Sequence, residues 1–283
     1  MIGSNELGAE KETMGTMVEL TSAFEGIASA RIAQIREKVL QSEEYFADLW
    51  RIYSQLRVDE LFHFGRGKKD VEAINKELMV LITSEGSFSG DIDQRLVSEA
   101  LKSYDPTKNA VLIIGHHGAV QLAQKGVAYI RSFKTPEKDL NINTEPIVAE
   151  VQKYRSTVVY YQQYKSLMSQ SIQSIRLSKA VMERGSGVQA GQEIIDESTY
   201  IFEPDTYAVV DHLERSMMQI TISEVILESK LAQYASRFRA MSAAKERATD
   251  TLGDVSLMFN RAKRHEKDER LKEVINGLRK AVP

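Results

Sequence analysis

The segment Leu213–Ala262 reads LERSMMQITISEVILESKLAQYASRFRAMSAAKERATDTLGDVSLMFNRA, and its spacing decides how the rest of the chain must be arranged. Apolar residues return at alternating steps of four and three: Leu213, Met217, Ile220, then Leu227, Leu231, Tyr234, Phe238, Met241, then Ala248, Leu252, Val255, Phe259 and Ala262. Only Glu224 and Lys245 interrupt the series. A heptad pattern held this long belongs to a supercoiled helix that needs a partner helix along its length. Pro204 precedes the segment, Pro283 follows it and no proline lies between, so one helix can run from Asp205 to Arg279. At 1.5 Å per residue that is on the order of 110 Å, which predicts a projecting rod. Glu224 and Lys245 are the places to look for a break or a register lock.

The partner is at the other end of the chain. After residues 1–9, which read as a loose tail, a helical pattern begins at Glu10. Its seam runs Met14, Val18, Thr21, Glu25, Ala28, Ile32, Ile35, Val39, Ser42, Phe46, Leu49, Tyr53, Leu56. Gly15 and Gly26 are its weak points, each costing roughly 1 kcal/mol against alanine, an amount that tertiary packing can offset. The expected shaft is an antiparallel coiled coil of residues 10–58 and 205–280.

Between them, residues 60–203 read as a separate α/β domain. Glu77–Thr83 is an apolar run that ends before Gly86 and Gly90, as a buried strand and its loop do. Asp91–Tyr104 is helical in pattern, Ala110–Ile114 repeats the strand signal, Ala119–Lys125 makes a short helix and Val127–Phe133 a third strand. That order implies a mainly parallel sheet with right-handed crossovers. Ile147–Tyr154 adds a helix, and Thr157–Tyr164 with Ser169–Leu177 read as strands at one edge. Residues 183–198 carry Gly185, Gly187 and Gly191 and read as an exposed loop.

Composition narrows the function classes. With Lys+Arg 37 against Asp+Glu 40 and 42% hydrophobic residues, the chain is neither a strongly basic nucleic-acid binder nor disordered throughout. It has no cysteine, which excludes disulfides and thiolate chemistry. The longest aliphatic runs, such as Val111–Ile114, are far too short to span a bilayer, and no signal-like segment opens the sequence. The expectation is a soluble, cytoplasmic chain whose membrane role comes through partners.

The α/β domain offers little chemistry. The turns Thr83–Gly90 and Gly115-His116-His117-Gly118 follow strands, where parallel sheets bind phosphates. Neither fits a phosphate-binding glycine motif, and Glu85 and Asp91 repel phosphate, so the turns are read as serving topology. The side chains of His116 and His117 diverge and lack a third ligand at recognised spacing, so they read as a surface pair and not a metal site. Tyr160, Tyr161 and Tyr164 pack or decorate a strand; a base-stacking platform needs basic neighbours, and only Lys165 is close. No convergent set of titratable side chains is visible. On these grounds alone, a coiled-coil adaptor or scaffold is the leading reading and a small α/β enzyme with a helical arm the second. The positive cluster of the rod (Arg237, Arg239, Lys245, Arg247, then Arg261, Lys263, Arg264, Lys267, Arg270) is interleaved with Asp250, Asp254, Glu266, Asp268 and Glu269, as on a solvated face.

Four pieces in order shift that balance. The run Ala235–Ala244, followed by Ala248-Thr249-Asp250, Gly253 and Phe259-Asn260-Arg261-Ala262, resembles the C-terminal helix of the gamma subunit of F-type rotary ATP synthases. Tyr200–Asp205 is similar to the Y-x-x-E-P-D that leads into that helix, Leu20–Arg31 to the family's N-terminal helix, and Leu81–Ser84 with Gly86 and Gly90 to its first strand and glycine turn.

The resemblance implies a Rossmann-like α/β domain below a shaft of the two terminal helices. It implies a rotor with no catalytic site and no cofactor or metal of its own, coupling ion flow through a membrane ring to ATP synthesis or hydrolysis. The implied partners are the alpha and beta subunits, an epsilon subunit and the c-subunit ring, with no nucleic acid. The implied place is the cytoplasmic face of the cell membrane, as a peripheral part of the complex. Arg237 matches the family arginine that meets an acidic lever segment of beta, and Lys263 and Arg264 match a polar pair that catches an acidic beta loop. Lys263 stands where arginine is typical and so lacks a bidentate fork, while Arg264 in place of glutamine adds a charge. Asp268 and Arg270 replace the threonine and glutamate of that catch, and Glu85 stands where arginine is usual; these departures mark a divergent member.

Overall fold

The computed structural model describes residues 3–55, 74–86, 88–136, 142–186, 201 and 203–281. The two longest helices are α1 (Ser4–Gln55) and α6 (Thr206–Ala281), 52 and 76 residues without interruption. Between them lie β1 (Ile74–Ile82), α2 (Ile92–Leu101), β2 (Asn109–Ile114), α3 (His116–Gln124), β3 (Arg131–Phe133), α4 (Glu145–Val151), β4 (Tyr154–Tyr164), β5 (Gln170–Arg176) and α5 (Leu177–Ser186). Helix α6 starts where the sequence can cap it: the Asp205 carboxylate accepts the Ala208 N–H at 2.8 Å, satisfying a donor that the first turn leaves open.

The contacts divide into two compact units, Met1–Ala28 with Phe238–Pro283, and Ser29–Arg237. In the smaller unit the helices run antiparallel: the position a Cβ would take on Gly8 lies 3.3 Å from the Phe259 ring, and Glu25 meets Lys245. Met241, Ala248 and Val255 are buried there, while Met17, Leu20 and Ile27 of the opposite face of α1 are exposed. Within the larger unit α1 and α6 are likewise antiparallel. Ile32 and Ile35 pack on Leu227, Leu231 and Ala235, and Phe46 packs on Met217. The Tyr53 hydroxyl donates to Glu214 at 3.4 Å. The expected antiparallel pairing of the two terminal helices is thus seen within each unit.

The sheet has the order β3-β2-β1-β4-β5, parallel throughout except for antiparallel β5 at one edge. Alternation along β1 feeds two cores. Leu78, Val80 and Ile82 face α4 and Ile222, Val225 and Ile226 of α6, while Met79 and Leu81 face α2 and α3. Burial of an aliphatic side chain of this size contributes about 1.5–3 kcal/mol, so a sheet covered on both sides needs the near-continuous apolar strands seen here. Helix α6 therefore has two buried faces in this unit, and no residue from Leu213 to Arg237 is exposed.

Several sequence expectations need correction. Residues 4–9 are helical, not a tail, because Leu7 is 5% exposed and extends the seam by one heptad. Helix α3 begins at His116, so the histidines open the helix and do not precede it. The third strand is confined to Arg131–Phe133, since only these pair with Leu112–Ile114. The fourth helix stops at Val151, and Tyr154 already pairs with Ile74. Residues 183–186 belong to α5, whose Leu177 and Val181 are buried; apolar spacing over so short a run was overshadowed by the glycines that follow. The remainder of that expected loop, and Leu56, Tyr200 and Phe202, lie outside the described residues.

Candidate functional site

Arg237 sits on α6 where that helix passes the turn after β1. Its Nη2 donates to Gly86 O at 3.4 Å, and the guanidinium lies 5.1 Å from the Tyr234 ring centroid. Burial pushes its pKa down from the ordinary arginine value, opposed by attraction to Tyr234 and Asp93, and the group stays charged. Lys263 and Arg264 are exposed. The Lys263 ammonium lies 5.4 Å from the Phe259 ring centroid, which Lys11 also approaches, at 5.5 Å. Asp268 and Arg270 are likewise exposed. Arg237 falls in the larger unit and Lys263 and Arg264 in the smaller, so the three residues do not form one cluster within either unit.

The two glycine turns lock each other. Gly115 has φ +105°, and a Cβ there would lie 2.1 Å from Thr83 O. The Gly118 N–H donates to Thr83 Oγ1 at 2.9 Å, and the Thr83 N–H donates to Ile114 O at 2.7 Å. Glycine is thus required for close approach of two strand ends, and nothing in this geometry calls for a phosphate. Glu85, which departs from the family pattern, accepts the Thr135 N–H at 2.7 Å and so ties this turn to the segment after β3.

Beside the turns the structure assembles a polar cluster that sequence reasoning missed. Asp93, 2% exposed, accepts the Ser84 N–H at 3.2 Å, the Ser84 hydroxyl and the Gln162 amide at 2.9 Å. His117 Nδ1 is 3.1 Å from both Asp93 Oδ2 and Ser84 Oγ, so His117 is not a free surface residue; His116 is exposed. Serine, histidine and aspartate in contact invite comparison with a hydrolase triad. A triad needs the imidazole between the other two, one ring nitrogen for each. Here the same nitrogen meets both, and the serine already donates to the carboxylate, which orders a turn and leaves no proton relay. Among the described residues no group of three or more His, Cys, Asp or Glu could hold a metal ion, and no helix is long and apolar enough to cross a membrane.

Relatives agree with the resemblance read from the motifs. The gamma chain of the Chlorobaculum parvum ATP synthase is 24% identical over 275 residues, covering 92% of each chain. That of Leuconostoc citreum is 25% identical over 282 residues, covering 92% of this chain and 93% of the relative. A family model described as ATP synthase matches residues 6–280. The chain belongs to the ATP synthase gamma family. Gamma chains are the central stalk of the rotary F-type enzyme, and this chain is one of them. The gamma fold is supported independently by solved structures. A chain of the Euglena gracilis mitochondrial ATP synthase OSCP/F1/c-ring structure superposes with a TM-score of 0.63 at 14% identity, covering 98% of this chain and 94% of that one. A chain of the rotor of the same enzyme superposes with a TM-score of 0.59 at 16% identity, covering 93% and 99%.

Proposed function

We propose that the chain acts as a rotor shaft that couples ion flow through a c-subunit ring to ATP synthesis or hydrolysis in an alpha/beta ring, without a catalytic site of its own. Residues 10–58 and 205–280 form the shaft, and residues 60–203 form the domain that docks, with an epsilon subunit, on the c ring. The complex places the chain peripherally on the cytoplasmic face of the cell membrane. A shaft can bias a catalytic subunit only through contacts that differ between its states. Arg237, Lys263 and Arg264 are assigned to those contacts with beta. The observation that carries this reading is the uninterrupted α6, whose apolar seam is used by α1 while Lys263 and Arg264 point outward, exposed and available to acidic partners.

The test is reconstitution with alpha, beta and the membrane ring, followed by charge reversal of Lys263 and Arg264 together. The expected result is ATP turnover that loses its coupling to ion transport, with the helical content of the chain unchanged. Unchanged coupled turnover would remove these residues from the interface. Arg237 needs a milder change, Arg237→Gln, because its hydrogen bond to Gly86 O also holds α6 to the turn.

A further inference from the structure

In doubly wound sheets the ligand crevice lies beyond the carboxyl ends of the strands where the strand order reverses. Here the chain moves outward from β1 to β2 to β3, then returns to lay β4 on the other side of β1, so the reversal falls between β1 and β4. At their carboxyl ends stand Ser84, Ser89, Asp93 and Gln162, all buried. Helix α6 fills this place with side chains of its own. Ser229 donates to Gln162 Oε1, and Gln233 Nε2 lies 3.3 Å from the same oxygen and 3.1 Å from Ser229 Oγ. One turn on, Ser236 donates to Ser89 O at 2.7 Å. Residues 229, 233 and 236 share one helix face, and each is 5% exposed or less.

We infer that this crevice is a joint that fixes the rotational setting of α6 on the sheet, with Gln162 as its central positioning residue. The two ends of the Gln162 amide are not interchangeable: Nε2 donates to Asp93, and Oε1 accepts from Ser229 and Gln233. A flipped amide would put its oxygen against the Asp93 carboxylate. Ile222, Val225 and Ile226 hold the helix to the sheet, but apolar contact is non-directional and tolerates small rotations. The hydrogen bonds do not, because a turn of the helix about its axis strands buried polar groups without partners. The element that a ligand occupies in other sheets of this kind is used here to transmit angle.

The inference rests on the shaft reading for its consequence but not for its geometry, and two measurements keep them apart. The chain has no native cysteine, so spin labels on His212→Cys of α6 and Lys125→Cys after α3 report the setting of the helix by electron paramagnetic resonance in the full chain alone. The expected result is one narrow distance distribution that broadens at least twofold in Gln162→Leu, broadens less in Ser229→Ala, and stays narrow in Ser229→Thr, which keeps the hydroxyl. An unchanged width in Gln162→Leu overturns the joint. In the reconstituted holoenzyme, Gln162→Leu is expected to keep ATPase activity of the alpha/beta/gamma subcomplex within twofold while ions moved per ATP fall at least threefold. An unchanged ratio beside a broadened distribution overturns its role in coupling. Failure of the unmodified chain to assemble with the alpha/beta ring overturns the shaft reading and leaves the joint to the label experiment. If Gln162→Leu does not fold, Ser229→Ala against Ser229→Thr decides.

Discussion

Lys245 Nζ lies 3.1 Å from Glu25 Oε2, and these are charged residues standing on the apolar seams of two different helices. Each looks like a flaw in its own sequence pattern. Together they satisfy each other at one level of an antiparallel pair, and any slip of one helix along the other separates them. The pair thus sets register, as polar residues on coiled-coil seams do.

That function predicts a non-additive mutant series. Lys245→Leu leaves the partly buried Glu25 carboxylate without its partner and, because water reaches the pair, should cost about 0.5–1 kcal/mol. Lys245→Glu should cost more, and E25K with K245E should recover most of the loss. The double replacement of Glu25 and Lys245 by leucine should be near neutral in stability while loosening register. Urea denaturation followed by circular dichroism reads all four, and equal losses in the single and exchanged variants would argue against a direct pair.

Gly115→Ala tests the lock between the two turns. An added Cβ would collide with Thr83 O, and φ is +105°, so relief requires moving the ends of β1 or β2. Strain of this kind costs roughly 1–3 kcal/mol before any steric term. The variant should lower the thermal midpoint by several degrees or fail to accumulate in soluble form, whereas Gly126→Ala, also at positive φ but with open space around it, should do less harm.

Gly253, which belongs to the family resemblance, is exposed, and a methyl group added there would meet none of the described residues within 4 Å. It does not relieve crowding among the described residues. Gly253→Ala should therefore raise helix stability by about 0.5–1 kcal/mol in the isolated chain. If Gly253→Leu lowers coupling in the assembled enzyme, the crowded neighbour is a partner subunit; full coupling would leave the glycine without a packing role in the assembly.

The alkaline limb of stability should carry a tyrosine signature. Burial, then the nearby Glu228, pushes the Tyr161 hydroxyl up to about 12, against about 10 in an unfolded chain. Below pH 10 both states keep the proton and the full contribution to stability is present. It is lost as pH rises from about 10 through 12, because the unfolded chain releases its proton first. Tyr161→Phe should move the alkaline unfolding midpoint upward. Tyr53, raised by burial and by Glu214, titrates in the same direction, so the shift should be partial. A midpoint that does not move would contradict burial of the Tyr161 hydroxyl.

Much of this molecule is legible without coordinates. The four-three spacing of Leu213 to Ala262 and of Met14 to Tyr53 determined two paired helices, since heptad periodicity fixes which face of a helix must be covered. The aliphatic runs at Glu77–Ile82 and Ala110–Ile114 determined a sheet buried on both sides, since an exposed face would have shown polar alternation. The local motifs determined the family. Lys245 was visible as an anomaly, and the presence of Glu25 on the opposite seam was the signal for its partner.

Only the tertiary structure decided the rest. Ile222, Val225 and Ile226 lie off the seam, and nothing local distinguishes a second buried face from an amphipathic fringe until the sheet is placed against it. Nothing in the sequence marks Ser229, Gln233 and Ser236, because polarity alone does not separate a group bonded to water from one bonded to a buried Gln162 or to the backbone of Ser89. Those partners are 67 and 147 residues away in the chain, and a pattern read within one segment carries no information about contacts closed across such loops.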